Sequence, residues 1–309
     1  MKTGLRVAAL AAVCASALSS PAQADHWWGG YYWANGASRQ IKVNTAVSGA
    51  WVSDPMAGGA NHILKAFQGW DKDSSQSPLD LTGPTARAGT NPKTCKAIAD
   101  QVLVCNARYG FNGWLGIASI WANSSKQITQ ATTKLNDSYY GTAKYNTPAW
   151  RRLVSCQEIG HDFGLAHQNE IFDNANTGSC MDYTNAPGGG VLNGFNYGPT
   201  NEYPNAHDYD MLDTIYGASS SAALTGNATT DFGIRTVGQG GTSAADASRP
   251  NDDGIPGDSE AAWGRAVHTD SQGRPDVFVL DLAGGHKKIT HVFWAIGEGP
   301  RSEHHHDDH

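Results

Sequence analysis

The sequence predicts an α/β fold: a mixed sheet with packed helices over residues 25–217, then a small β domain over 231–300. Three observations carry this. Strand-like and helix-like runs alternate between residues 39 and 135 ahead of one well-signalled helix, the pattern of a sheet covered by helices. Residues 218–230 shift to Ser, Ala, Thr and Gly, a linker signature. Beyond the linker, alternating runs at 277–282 and 289–296 flank Ala283-Gly284-Gly285-His286 and read as a hairpin.

The elements follow in order. Residues 1–24 are expected to be an export signal, with Lys2 and Arg6 at the start, an apolar stretch over 7–18 and a small-residue cleavage site at Ala22-Gln23-Ala24. That stretch is shorter than the ~20 apolar residues a spanning helix needs, so no membrane span is expected. Trp27, Trp28, Tyr31, Tyr32 and Trp33 form an aromatic lead-in with no assigned role. Residues 39–47 alternate as a strand, whereas 61–70 set Ile63, Ala66, Phe67 and Trp70 at helical spacing. Short strands are expected at 79–81, 112–121 and 127–135. Thr147 and Pro148 mark a helix start by cap and first-turn proline. Trp150, Leu153 and Val154 then face the core, and Gly164 ends the helix with a left-handed turn. Residues 207–216 form a second amphipathic helix with Met211, Leu212 and Ile215 inward. The tail over 301–309, rich in His and Asp, is expected to be disordered.

The formal net charge of −7 comes without a basic stripe, so nucleic acid is not an expected partner. Cys14 falls in the export signal and leaves Cys95, Cys105, Cys156 and Cys180. An even count in an exported chain indicates two disulfides with three possible connectivities. Cys95–Cys105 is the local choice, and it leaves Cys156–Cys180. No two cysteines have metal-finger spacing. No G-x-S-x-G elbow is present, so a serine hydrolase of that type has no support.

The chemistry concentrates in Gln157-Glu158-Ile159-Gly160-His161-Asp162-Phe163-Gly164-Leu165-Ala166-His167. Side chains at i and i+4 on a helix share a face and can grip one ion. A glutamate directly after the first of them can accept a proton from activated water. A glycine after the helix lets the chain turn so that a third ligand swings in. The stretch is H-E-x-x-H-x-x-G-x-x-H with Gln157 in place of the first histidine.

On these residues the chain resembles the metzincin clan of zinc endopeptidases. Ser179-Cys180-Met181-Asp182-Tyr183 is similar to the clan's Met-turn, with Tyr183 two residues after the methionine. Residues 208–217 are similar to the clan's closing helix, ending in Tyr216-Gly217. The resemblance covers roughly 39–217 and not the C-terminal part. It implies a secreted Zn2+-dependent endopeptidase acting on protein or peptide substrates. His161 and His167 match the second and third ligands, Glu158 the general base, and Met181 a structural methionine. Tyr183 matches a tyrosine that binds the metal or stabilises the oxyanion. An extended substrate is expected to pair with the strand at 112–121, as an edge strand. The resemblance sets neither the oligomeric state nor the peptide preference.

Gln157 leaves three arrangements open. Its amide oxygen, a weak donor for zinc, can bind the ion. Another group (Tyr183, Asp182 or His207) can join His161 and His167 instead. Or zinc is lost, and the chain is a catalytically inactive secreted binding protein on the same scaffold. A glutamate kept buried beside two histidines argues for retained metal, because an unpaired buried carboxylate is costly.

Overall fold

The structure, a computed structural model, describes residues 26–34, 40–72, 76–217 and 260–300. The expected export signal, the expected linker, residues 231–259 and the tail lie outside the described residues.

The first half reads β1 (Tyr32–Trp33), β2 (Gln40–Ala46), α1 (His62–Trp70), β3 (Asp80–Ala86), β4 (Gln101–Ala107), β5 (Trp114–Ala122), β6 (Gln127–Asn136) and the short α2 (Asp137–Tyr140). The main helix α3 (Pro148–Asp162) follows, then a small ribbon, β7 (Val191–Leu192) with β8 (Phe195–Asn196), and α4 (Ala206–Tyr216). The C-terminal part adds α5 (Glu260–Trp263), β9 (Arg265–Thr269), β10 (Pro275–Asp281) and β11 (Lys287–Trp294). One mixed sheet runs β3-β2-β4-β6-β5-β11-β10-β9, and β1 pairs with the start of β6. Strands β3, β2, β4 and β6 are parallel to one another. Strands β5, β11, β10 and β9 continue the sheet in antiparallel pairs.

Two expectations need correcting. The C-terminal strands do not form a separate β domain, because β11 pairs with β5 from Lys287↔Ala122 to Trp294↔Trp114. For the same reason β5 is not an edge strand open to a peptide. The cause is in its sequence: all nine residues from Trp114 to Ala122 are buried, and a strand apolar on both faces needs cover and a partner on each side. Trp114 and Ile117 of β5, Phe278 of β10, Val292 and Trp294 of β11 and Trp263 of α5 form one buried cluster across the join. Strand β4 has no counterpart among the expected elements. Its Val102-Leu103-Val104-Cys105 run is buried on both faces, so it lacks the alternation that marks a half-exposed strand.

Helix α3 sits where its caps and glycines allow. Thr147 accepts from the Trp150 N–H, and Pro148 occupies the first turn. Trp70 Nε1 of α1 donates to the Cys156 carbonyl at 3.0 Å, fixing the two helices together. A Cβ on Gly116 of β5 would lie 2.6 Å from Val154 and 2.9 Å from Glu158 Cγ. A Cβ on Gly160 would lie 2.6 Å from Met181 Sδ and 2.7 Å from Trp70. Two glycines thus let α3 touch the sheet on one side and the 179–183 turn on another. Disulfides join Cys95 to Cys105 and Cys156 to Cys180, the second tying α3 to that turn. Asn205 and Asp208 form a capping box at the start of α4, and Tyr216 Oη donates to the Phe163 carbonyl just after α3. No helix among the described residues is long and apolar enough to cross a membrane.

This packing makes Gly160→Ala a test of the α3 seat. Overpacking a core costs typically about 1–3 kcal/mol, and a loss in that range is expected in urea denaturation. A variant as stable as the parent contradicts the contact.

Candidate metal centre

The last turn of α3 carries Gln157, Glu158 and His161 into the core, each 0–1% exposed. Gly164 then takes φ +91, and a Cβ there would lie 2.3 Å from the Tyr31 carbonyl. Both the dihedral and the space require glycine. The chain thereby turns against the aromatic lead-in, which receives a role here. Trp28 N–H donates to the Gly164 carbonyl, Ala166 N–H donates to the His26 carbonyl, and Trp27 bridges Leu165. Residues 26–28 therefore hold the segment that delivers His167, and the Trp28 ring packs on His161 with centroids 5.3 Å apart.

Hydrogen bonding fixes the tautomers. His161 Nδ1 lies 2.8 Å from the Leu165 carbonyl. A carbonyl only accepts, so Nδ1 bears the hydrogen and Nε2 the lone pair. His167 Nδ1 lies 3.1 Å from Glu170 Oε1. Burial works against ionising Glu170, but its hydrogen bond to His167 and the charge of His268 outweigh it and hold its carboxyl below the usual range. An ionised carboxylate only accepts, so His167 also presents a lone pair at Nε2. The two Nε2 atoms face each other at 3.1 Å. Two acceptors at that distance need a proton or a metal ion between them. Nitrogens of a tetrahedral zinc site, at Zn–N ~2.0–2.1 Å, stand roughly 3.3 Å apart. Each ring also has its outer N–H anchored on an oxygen, the support that metal-bound imidazoles use. Zinc therefore fits these residues.

A third imidazole joins them from β11. His161, His167 and His291 each bring a ligand atom, all within 4.8 Å of one another. The His291 ring centroid is 4.1 Å from that of His161 and 4.8 Å from that of His167. His291 Nδ1 lies 3.0 Å from Glu158 Oε2, while Glu158 Oε1 is buried with no hydrogen-bond partner among the described residues. Burial raises the Glu158 carboxyl well above its ordinary range and lowers both His161 and His291 well below theirs.

The remaining expected residues fall as follows. Gln157 Nε2 donates to the Cys180 carbonyl at 2.7 Å, and its Oε1 is buried without a partner among the described residues. Met181 is fully buried under Gly160. Tyr183 Oη donates to Asp276 Oδ2 and contacts His291 Nε2, both at 2.9 Å. Its proton is thus committed, and the residue positions His291. Asp182 accepts from the Thr177 N–H and from Asn201, its carboxyl raised to about 6 chiefly by burial. His207 packs against His26. Asp182 and His207 are both absent from the three-histidine group among the described residues.

Sequence reading missed His291, Asp276, Glu170 and His268. For His291 a faint signal existed: alternation puts it on the same face of β11 as buried Ile289 and Phe293. A second cluster, His167, Glu170 and Asp276, lies beside the first. It already has a cation. His268 contacts Asp276 Oδ1 at 2.7 Å and Glu170 Oε2 at 3.4 Å. Burial disfavours its charge, but the hydrogen bond and charge of Asp276 and the charges of Glu170 and Asp270 prevail and raise it to about 9.

No protein-family model and no curated protein matches the chain. Among solved structures it is similar to high choriolytic enzyme 1, a hatching enzyme zinc-protease from the medaka fish Oryzias latipes. The identity is 10%, the TM-score 0.31, and the match covers 62% of this chain and 96% of that one. A likeness of that degree assigns no family, and the functional reading rests on the residues themselves.

The His268 ion pairs set a pH window. A folded-state value raised from 6.5 to about 9 adds stability that is fully present below pH 6.5 and is lost as pH rises through 9. In chelator-treated protein, His268→Gln is expected to lower unfolding free energy by roughly 1–3 kcal/mol near pH 6. The difference from the parent should fade above pH 9, and a pH-independent difference contradicts the pairing.

Proposed function

We propose that the chain is a zinc-dependent peptide-bond hydrolase of metzincin type, working outside the cytoplasm. The observation that carries this is the apposition of the two Nε2 lone pairs of His161 and His167, each ring braced through its own Nδ1. Zinc held there supplies a Lewis acid that polarises a carbonyl and lowers the pKa of water to ~7. Glu158 is the chain's own proton carrier. Its unpartnered Oε1 takes the proton of the attacking water and returns it to the leaving amine. Trp28 and the Gly164 turn keep His167 in place, and the Cys156–Cys180 bridge holds α3 against the Met181 turn. Two disulfides support an oxidising compartment.

One observation favours the second reading, a metal-holding protein that cuts nothing. Glu158 and His291 are fully buried, and β11 occupies the edge of β5 where a substrate strand would pair. Catalysis thus requires a path to the site that avoids, or displaces, that strand.

The test is cleavage of an unstructured polypeptide by the full chain, read as new N-termini by mass spectrometry. The expected result is cleavage near neutral pH that a chelator abolishes and zinc restores. Glu158→Gln should slow it at least about a hundredfold, the lower end of general-base contributions, with zinc still bound. Protein that holds one zinc and yields no new N-termini supports the second reading instead.

A further inference from the structure

We infer that His291, delivered by β11, is the third protein ligand of the metal centre and takes the place that Gln157 leaves empty. The inference rests on the metal-binding reading above and goes beyond the motif, which supplies only His161 and His167. His291 lies 124 residues beyond His167 in sequence and reaches the site only because β11 pairs with β5.

The tautomer of His291 points its lone pair inward. Tyr183 Oη gives its proton to Asp276 Oδ2, so toward His291 Nε2 it acts as an acceptor. Nε2 therefore carries the hydrogen and Nδ1 the lone pair. Nδ1 sits 3.0 Å from Glu158 Oε2. The site thus holds one acceptor–acceptor contact, His161 with His167, and a third lone pair beside Glu158, on rings whose ligand atoms lie within 4.8 Å of one another. A single divalent cation can take up all three lone pairs. Three imidazoles with a carboxylate beside them match a catalytic zinc set of three protein ligands and one open position. The outer N–H of each ring is anchored, on the Leu165 carbonyl, on Glu170 and on Tyr183, as metal-bound imidazoles require.

Gln157 is the weaker candidate for this role. Its Nε2 donates to the Cys180 carbonyl, a group that only accepts, so the amide has only Oε1 to offer. An amide oxygen is moreover a weaker zinc donor than imidazole. A ligand on β11 also makes metal binding and docking of the C-terminal strands one linked equilibrium.

The test uses Co2+ as probe, titrated into the metal-free full chain and followed by its visible absorption. The histidine tail is common to every variant, so differences between variants report the site. His291→Ala should lower Co2+ affinity by at least about a hundredfold, since loss of even an outer-shell partner costs ten- to a hundredfold. Gln157→Ala should change it less than about threefold, well below that range. His291→Cys should keep the ion and add a thiolate-to-cobalt charge-transfer band, which reports ligation directly even if the alanine variant folds poorly. Amide hydrogen exchange of residues 287–294 should quicken when the metal is removed. Unchanged affinity in His291→Ala, or Co2+ bound by His291→Cys without the band, overturns the assignment. His161→Ala still losing the metal in that case leaves the two-histidine reading standing. If His161→Ala also binds normally, both fall.

Discussion

The seating of α3 between sheet and turn is the constraint on which everything else depends. Gly116 lets the helix come down on β5, and Gly160 lets Met181 and Trp70 close on its other side. At those separations no side-chain carbon fits, and protein interiors do not absorb such volume without displacement. Because the helix cannot shift, the direction of Glu158 and His161 is set by backbone packing rather than by their own hydrogen bonds. The disulfide from Cys156 to Cys180 fixes the same pair of elements covalently. A site built on a rigid helix is held to tighter tolerance than one built on a loop.

The motif histidine that does come from a loop, His167, is stabilised from outside. The N-terminal residues 26–28 hydrogen-bond along the 164–166 segment, and Glu170 fastens the ring. Around this lies a shell of paired charge. His268 faces Glu170 and Asp276, and Arg274 pairs with Asp270 at 2.7 Å. The centre itself differs: the Nε2 atoms of His161 and His167 face each other with neither carrying a hydrogen. In a low-dielectric interior such an arrangement is costly unless a cation occupies it, which is why geometry speaks for metal more strongly here than the motif does.

Much of this was legible in the sequence. Period-3.6 spacing marked α1, α3 and α4, with a cap read only at α3, because helices amphipathic on one face print that face in order. Strands β2, β5 and β6 and the C-terminal hairpin were legible too. Strand β4 was not, since Val102 to Cys105 are buried on both faces and show no alternation. The hairpin's destination was not legible either. A local pattern says that 277–296 fold back on themselves, and says nothing of β5 lying beside them. At the site, the helix-borne residues could be read from spacing, whereas His291, Asp276 and His268 enter through strand pairing across more than a hundred residues. Tyr183 shows the reverse case: its position was readable, but its hydroxyl is tied to Asp276 and His291 by contacts no local pattern encodes.

The central claim is that one cation lies between the imidazoles of His161 and His167. The most direct measurement is an anomalous difference map at the zinc edge from crystals of the zinc-loaded chain. The account predicts one strong peak about 2.0–2.1 Å from both Nε2 atoms. A map from zinc-loaded crystals with no peak there contradicts it.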